Sequence, residues 1–187
     1  MATAAALAEE GLADVSLPAA GYRFGLWLRA YANLYYRRDY EATIRDAKTV
    51  VAAFPYDTES LFWMGDLVTL AGEIDLAEQW VGTALERNVR PIPNFFGVVG
   101  RLRYAQGRYE EAIQAQKKAL DRDDATYFLA TSYAALGKLD DVRSYIKELN
   151  EKHPQVTPDY IRAYYPYRDT AINERLLAQL TEAGWPQ

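Results

Sequence analysis

The chain has 187 residues, half of them hydrophobic, enough to bury roughly 70% of its unfolded surface in one domain without staples. It has one histidine and no cysteine, which excludes disulfides, thiolate nucleophiles and Cys-based zinc sites and fits a reducing compartment, so a cytoplasmic location is expected. A net charge of −5 speaks against a nucleic-acid partner, whose phosphates call for clustered Lys and Arg, and no apolar run reaches the roughly 18 residues of a membrane span.

In chain order, the opening "MATAAALAEEGL" has an apolar stretch but no basic lead-in and carries Glu9 and Glu10, so it matches neither a span nor a secretory signal. Residues 1–20 are expected to hold an amphipathic helix, either a simple cap or the second helix of an earlier hairpin. Residues 21–154 then divide into four helical hairpins: 22–37 with 40–53, 58–71 with 74–88, 93–106 with 109–121, and 124–136 with 139–152. The last segment, 155–187, starts a short helix near Thr157 with Pro158 in its first turn, breaks at Pro166, and starts again behind Asp169 or Thr170. In that final helix Ile172, Leu176, Leu180 and Ala183 share one face before Gly184 ends it.

The two central hairpins are self-similar. Gly65 superposes on Gly100, Gly72 on Gly107, Ala77 on Ala112, Ala84 on Ala119 and Leu85 on Leu120, all at an offset of 35 residues. A glycine in mid-helix costs about 1 kcal/mol relative to alanine, so Gly65 and Gly100 are expected where a neighbouring helix approaches too closely for a β-carbon. Gly72 and Gly107 follow the last periodic residue of a helix and are expected to be left-handed turn residues. The alanines recur on one face of each second helix, small enough to nest on the first. The first hairpin has no glycine at its turn and carries Thr43 in place of the small alanine. Gly137 lies only 30 residues after Gly107, so the second helix of the third hairpin, or its turn, must be clipped.

These positions resemble the tetratricopeptide repeat, which spans about 34 residues. The resemblance implies an all-α solenoid of about four helix-turn-helix repeats, right-handed, with a concave face lined by the first helix of each hairpin. In that register Leu28, Tyr35 and Tyr36, then Phe62, Asp66 and Thr69, then Asn94, Arg101 and Tyr104, and finally Tyr127 and Thr131 would line the groove. A variant of the family captures a peptide carboxylate with a Lys and Asn pair; Arg29 and Asn33 have the spacing but fall one residue out of register. A peptide or protein held by tyrosines fits the lining better, since tyrosine offers rigid area and one hydroxyl at low entropic cost.

The tail carries a second resemblance. Tyr165, Pro166, Tyr167, Arg168 and Asp169, followed by Glu174, Arg175, Leu176, Leu177, Leu180, Ala183, Gly184 and Pro186, resemble the ending of bacterial repeat proteins, among them regulators whose array follows a class III adenylate or guanylate cyclase domain. That resemblance implies a regulatory or scaffold region of a signalling protein. The final helix is expected to cover the open flank of the last hairpin, with the tyrosines of "YYPY" packed on it.

No catalytic, cofactor or metal site is expected. His153 stands alone at a helix end, where a capping cation is the ordinary reading. There is no phosphate-binding glycine loop, and Asp121, Asp123, Asp124, Asp140 and Asp141 lack calcium-loop spacing and suit caps and first turns instead. The rival readings are a secretion-type chaperone or adaptor, a self-associating structural module forming homo-oligomers, and a small-molecule sensor with the tyrosines around its pocket.

Overall fold

The structure, a computed structural model, describes residues 19–88, 90–119, 122–152 and 156–185. His153 and the helix expected from "TAAALAEEGL" lie outside them. The described residues form helices joined by turns and short loops, with no strand among them. The chain divides into two compact units, Met1–Asn88 and Val89–Gln187.

The first unit holds α1 (Ala19–Ala32), a π-helical turn (Asn33–Arg37), α2 (Tyr40–Ala53), α3 (Thr58–Leu70) and α4 (Ile74–Arg87). Here α1 packs on α2 and α3 on α4, while α3 also meets both α1 and α2. Surrounded in this way, α3 buries every residue from Ser60 to Ala71 except Trp63, which is half-buried. Two polar ties fix α1. The Arg29 guanidinium donates through Nε and Nη2 to the Asp46 carboxylate at 2.9 and 2.6 Å, and Asn33 Nδ2 adds a third bond at 2.9 Å. At the other end Trp27 Nε1 donates to Ser60 Oγ at 3.2 Å and Arg23 pairs with Asp57, the N-cap of α3. Burial disfavours the Asp57 carboxylate, but Ser60 and Arg23 outweigh it and hold the group below the usual carboxylate value.

The second unit holds α5 (Pro93–Ala105), α6 (Tyr109–Gln116), α7 (Arg122–Ala135), α8 (Leu139–Lys152), α9 (Pro158–Tyr164) and α10 (Thr170–Glu182). Within it α5 packs on α6 and α7 on α8; α7 also meets α6 and α5, and α10 packs on α7. Thr157 caps α9, its hydroxyl accepting from Tyr160 N–H, and Asp169 caps α10 by accepting from Ala171 N–H.

Close approach at the two mid-helix glycines accounts for their place in the sequence. A β-carbon on Gly65 would lie 2.7 Å from Val81 Cγ2 across the α3–α4 hairpin, and one on Gly100 would lie 2.4 Å from Gln116 Nε2 across α5–α6. Ala77, Ala84 and Ala112, on the facing helices, are wholly buried. The turns repeat as closely. Glu73 N–H reaches Val68 O, Arg108 N–H reaches Arg103 O and Lys138 N–H reaches Tyr133 O, each bond running five residues back over a glycine of positive φ.

Four helix bounds differ from the sequence expectation by more than one residue, the first being the start of α1 at Ala19 instead of 22. The first helix does not run as α-helix through residue 37: it opens into the π turn, Asp39 N–H reaches six residues back to Asn33 O, and Arg38 takes the left-handed position at φ 55. One extra residue is thereby absorbed where no glycine is present. The clipped element is α6, which ends at Gln116 instead of 121, and α7 begins at Arg122 instead of 124.

Gly82 provides an internal reference for these close contacts, because a β-carbon there would meet nothing within 4 Å. Gly82→Ala should raise stability by about 0.5–1 kcal/mol through helix propensity. Gly100→Ala should lower it by about 1–3 kcal/mol through overpacking against Gln116. Urea unfolding midpoints check both, and a shift of the same sign in the two variants would remove close approach as the reason for Gly100.

Candidate functional site

In the second unit the first-helix face defined by α5 and α7 already has an occupant. Tyr104 on α5 stands edge-on to Phe128 on α7 at 5.3 Å between ring centroids, and Phe128 stands edge-on to Tyr165 in the bend after α9 at 5.1 Å. Tyr104 O–H donates to Gln179 Oε1 on α10 at 2.8 Å, the Arg175 guanidinium sits over the Tyr104 ring at 5.7 Å, and Trp185 meets Tyr127 edge-on at 6.4 Å. Ile172, Leu176, Leu177, Leu180 and Trp185 are buried in this seat, each contributing about 1.5–3 kcal/mol. Of the bend tyrosines, Tyr165 and Tyr167 are buried and Tyr164 is exposed, stacked on Tyr160 at 5.6 Å.

The seat is imperfectly satisfied. Arg175 Nε and Nη2 and Asn173 Oδ1 are buried without a hydrogen-bond partner, although Asn173 Nδ2 donates to Tyr165 O at 2.8 Å. A buried polar atom left unpaired costs about 1–3 kcal/mol. Burial pushes the Tyr104 phenol well above the ordinary phenol value despite the nearby Arg175 cation, so it remains a neutral donor to Gln179.

The expected groove residues therefore part company. Tyr104, Tyr127 and Thr131 are buried, Tyr104 and Tyr127 in contact with the chain's own tail, so they do not offer a vacant lining; the covering element is the amphipathic α10. Phe62, Asp66 and Thr69 are buried too, as part of the enclosed α3, and Thr69 Oγ1 donates to Gly65 O. Asn94 is exposed and Arg101 half-buried on α5. On α1 and its π turn, Leu28 and Tyr36 are exposed and Tyr35 is half-buried. The Arg29 and Asn33 pair does grip a carboxylate, but that of Asp46.

One surface went unrecognised in the sequence. Phe24, Leu28, Tyr31 and Tyr35 follow one another at spacings of four, three and four residues, which lines up the first three on one face of α1 and continues into the π turn at Tyr35. Phe24 is 58% exposed and Leu28 44%, Tyr31 and Tyr35 stack at 5.6 Å, and Tyr36 beside them is 67% exposed. The spacing itself is the signal; the repeat register contains positions 28, 35 and 36 and leaves out Phe24 and Tyr31.

Among the described residues no three His, Asp or Glu side chains gather as metal ligands, and no helix is long and apolar enough to cross a membrane. A cleft of about 290 Å³ is lined by Arg143, Ile146, Lys147, Asn150 and Glu151 of α8 with Ala183; its cations pair with Asp140 and Glu151. No protein-family model matches the chain, and a search of curated proteins finds no relative.

Two variants test the seat. Arg175→Met keeps the length and removes the unpaired nitrogens, and the relief exceeds the lost cation–π contact, so stability should rise by about 1 kcal/mol and Tm by about 2–4 °C. A fall of 1 kcal/mol in the urea midpoint analysis would mean the guanidinium is well seated. For Tyr104 the sign follows from its raised folded pKa. Above about pH 10 the unfolded chain releases a phenolic proton that the folded chain keeps, so stability falls as pH rises, by up to about 1.4 kcal/mol per unit. Tyr104→Phe should start about 1 kcal/mol less stable at pH 8, having lost the bond to Gln179, and the gap to wild type should close between pH 10 and 11.5. A gap constant across that range would contradict it.

Proposed function

We propose that the chain is a protein-interaction module of the tetratricopeptide type, and that it serves as a regulatory or scaffold region of a bacterial signalling protein. The observation that carries the interaction reading is the apolar stripe on α1 and its π turn, where Phe24, Leu28 and Tyr36 are exposed while Leu26, Ala30 and the Asp46 clamp anchor the helix. Exposed aromatic and aliphatic side chains that line up on a rigid helix are the kind of surface a partner covers. The repeat reading is supported by the equivalent close approaches at Gly65 and Gly100 and by the equivalent turns at Gly72, Gly107 and Gly137. In this view α1 and the π turn after it supply the groove positions Leu28, Tyr35 and Tyr36 to a peptide or protein ligand, and chemistry is left to other proteins or domains. A self-associating role is the second reading, favoured by the same stripe.

Affinity capture followed by quantitative mass spectrometry tests the module. The triple variant F24S/L28S/Y36S should fold as wild type by circular dichroism and lose the captured partners at least tenfold. Equal capture by both would place binding elsewhere, and a wild-type dimer in light scattering that the triple variant dissociates would favour self-association.

A further inference from the structure

The exposed α1 stripe does not account for the tail that lies on α5 and α7. We propose that α10 is an exchangeable resident of a helix-binding face, and that the partner this face fits is an amphipathic helix of another protein that improves on α10. The resident itself specifies the ligand. It presents Ile172, Leu176 and Leu180 at four-residue intervals, an acceptor at Gln179 for the Tyr104 hydroxyl, and the ring of Trp185 for Tyr127. Its flaw is equally specific. Arg175 brings two buried nitrogens without partners against the Tyr104 ring, and Asn173 brings a buried oxygen without one.

A competing helix with an aliphatic residue where α10 has Arg175 would keep every apolar contact and lose the unpaired groups. It must outcompete a tethered occupant, whose effective concentration is in the millimolar range for a short linker, so a gain of about fivefold at this single position lowers the partner concentration needed for exchange from about 1 mM to about 0.2 mM. The chain of contacts then gives displacement a consequence. Tyr165 packs on Phe128 on one side of the bend and Asn173 holds the Tyr165 carbonyl on the other, so lifting α10 releases a hydrogen bond that pins the bend.

This face belongs to the second unit and the α1 stripe to the first, so failure here would leave the α1 reading standing. The probe is a fluorescent synthetic peptide of residues 168–187, in native form and with the R175M change, titrated into the full chain. The R175M peptide should bind wild type about fivefold more tightly than the native peptide. Both should bind at least tenfold more tightly to a full-length L176D/L180D variant, whose own tail is unseated.

Hydrogen exchange on the unmodified chain supplies a measurement free of any folding defect: amides of Leu176–Leu180 should exchange at least tenfold faster than those of Phe128–Ser132. Equal protection of the two segments overturns the proposal, as does equal binding of the two peptides. A tail-dependent wild-type dimer in light scattering would also overturn it, assigning the face to the α10 of a second copy.

Discussion

Each unit depends on a helical hairpin closed to contact distance by the absence of one β-carbon. A mid-helix glycine weakens the isolated helix, so it is retained only where the gain from packing exceeds that cost. At Gly100 the neighbour is Gln116, whose Nε2 donates to Gly97 O at 3.3 Å while lying where the β-carbon of residue 100 would be. At Gly65 the neighbour is Val81, an apolar contact with no hydrogen bond. The same backbone geometry is thus supported by two different chemistries. What persists at the 35-residue offset is the space, and the side chain that fills it varies.

With the hairpins closed, the second unit has to satisfy a buried phenol. Tyr104 touches Tyr109 on α6 and Phe128 on α7, and its hydroxyl donates to Gln179 on α10. A buried hydroxyl demands a partner, so this tyrosine couples two stacked hairpins to the tail. The tail is consequently more than an apolar cover. Its helix meets the face through both oily contacts and a specific polar one, which is how a helix ligand achieves a defined register in a groove.

Much of the fold was legible in the sequence because its signals are local. Glycines at positive φ mark the turns at Gly72, Gly107 and Gly137, and the short interval from Gly107 to Gly137 foretold the clipped α6. The π turn was not legible, since Arg38 adopts the left-handed conformation without any glycine to announce it. The candidate site was legible only in part. Periodicity identified the apolar face of α10 and the register identified Tyr104, Tyr127 and Thr131, but neither states that these two surfaces meet. That depends on the bend from Tyr165 to Asp169, whose direction is set by tertiary contacts such as Tyr165 on Phe128.

Two surfaces of this chain thus stand in different states. On α1 the stripe beginning at Phe24 and Leu28 meets solvent, whereas on α5 and α7 the equivalent first-helix positions are filled by α10. Filling them lowers the exposed apolar area, which protects a chain with half its residues hydrophobic against nonspecific association. It also sets a threshold, because a partner helix must exceed a tethered competitor before it binds. Arg175 lowers that threshold. A fully satisfied α10 would turn the face into ordinary core, while a vacant face would bind any amphipathic helix; two unpaired nitrogens leave the resident helix beatable by one that lacks them.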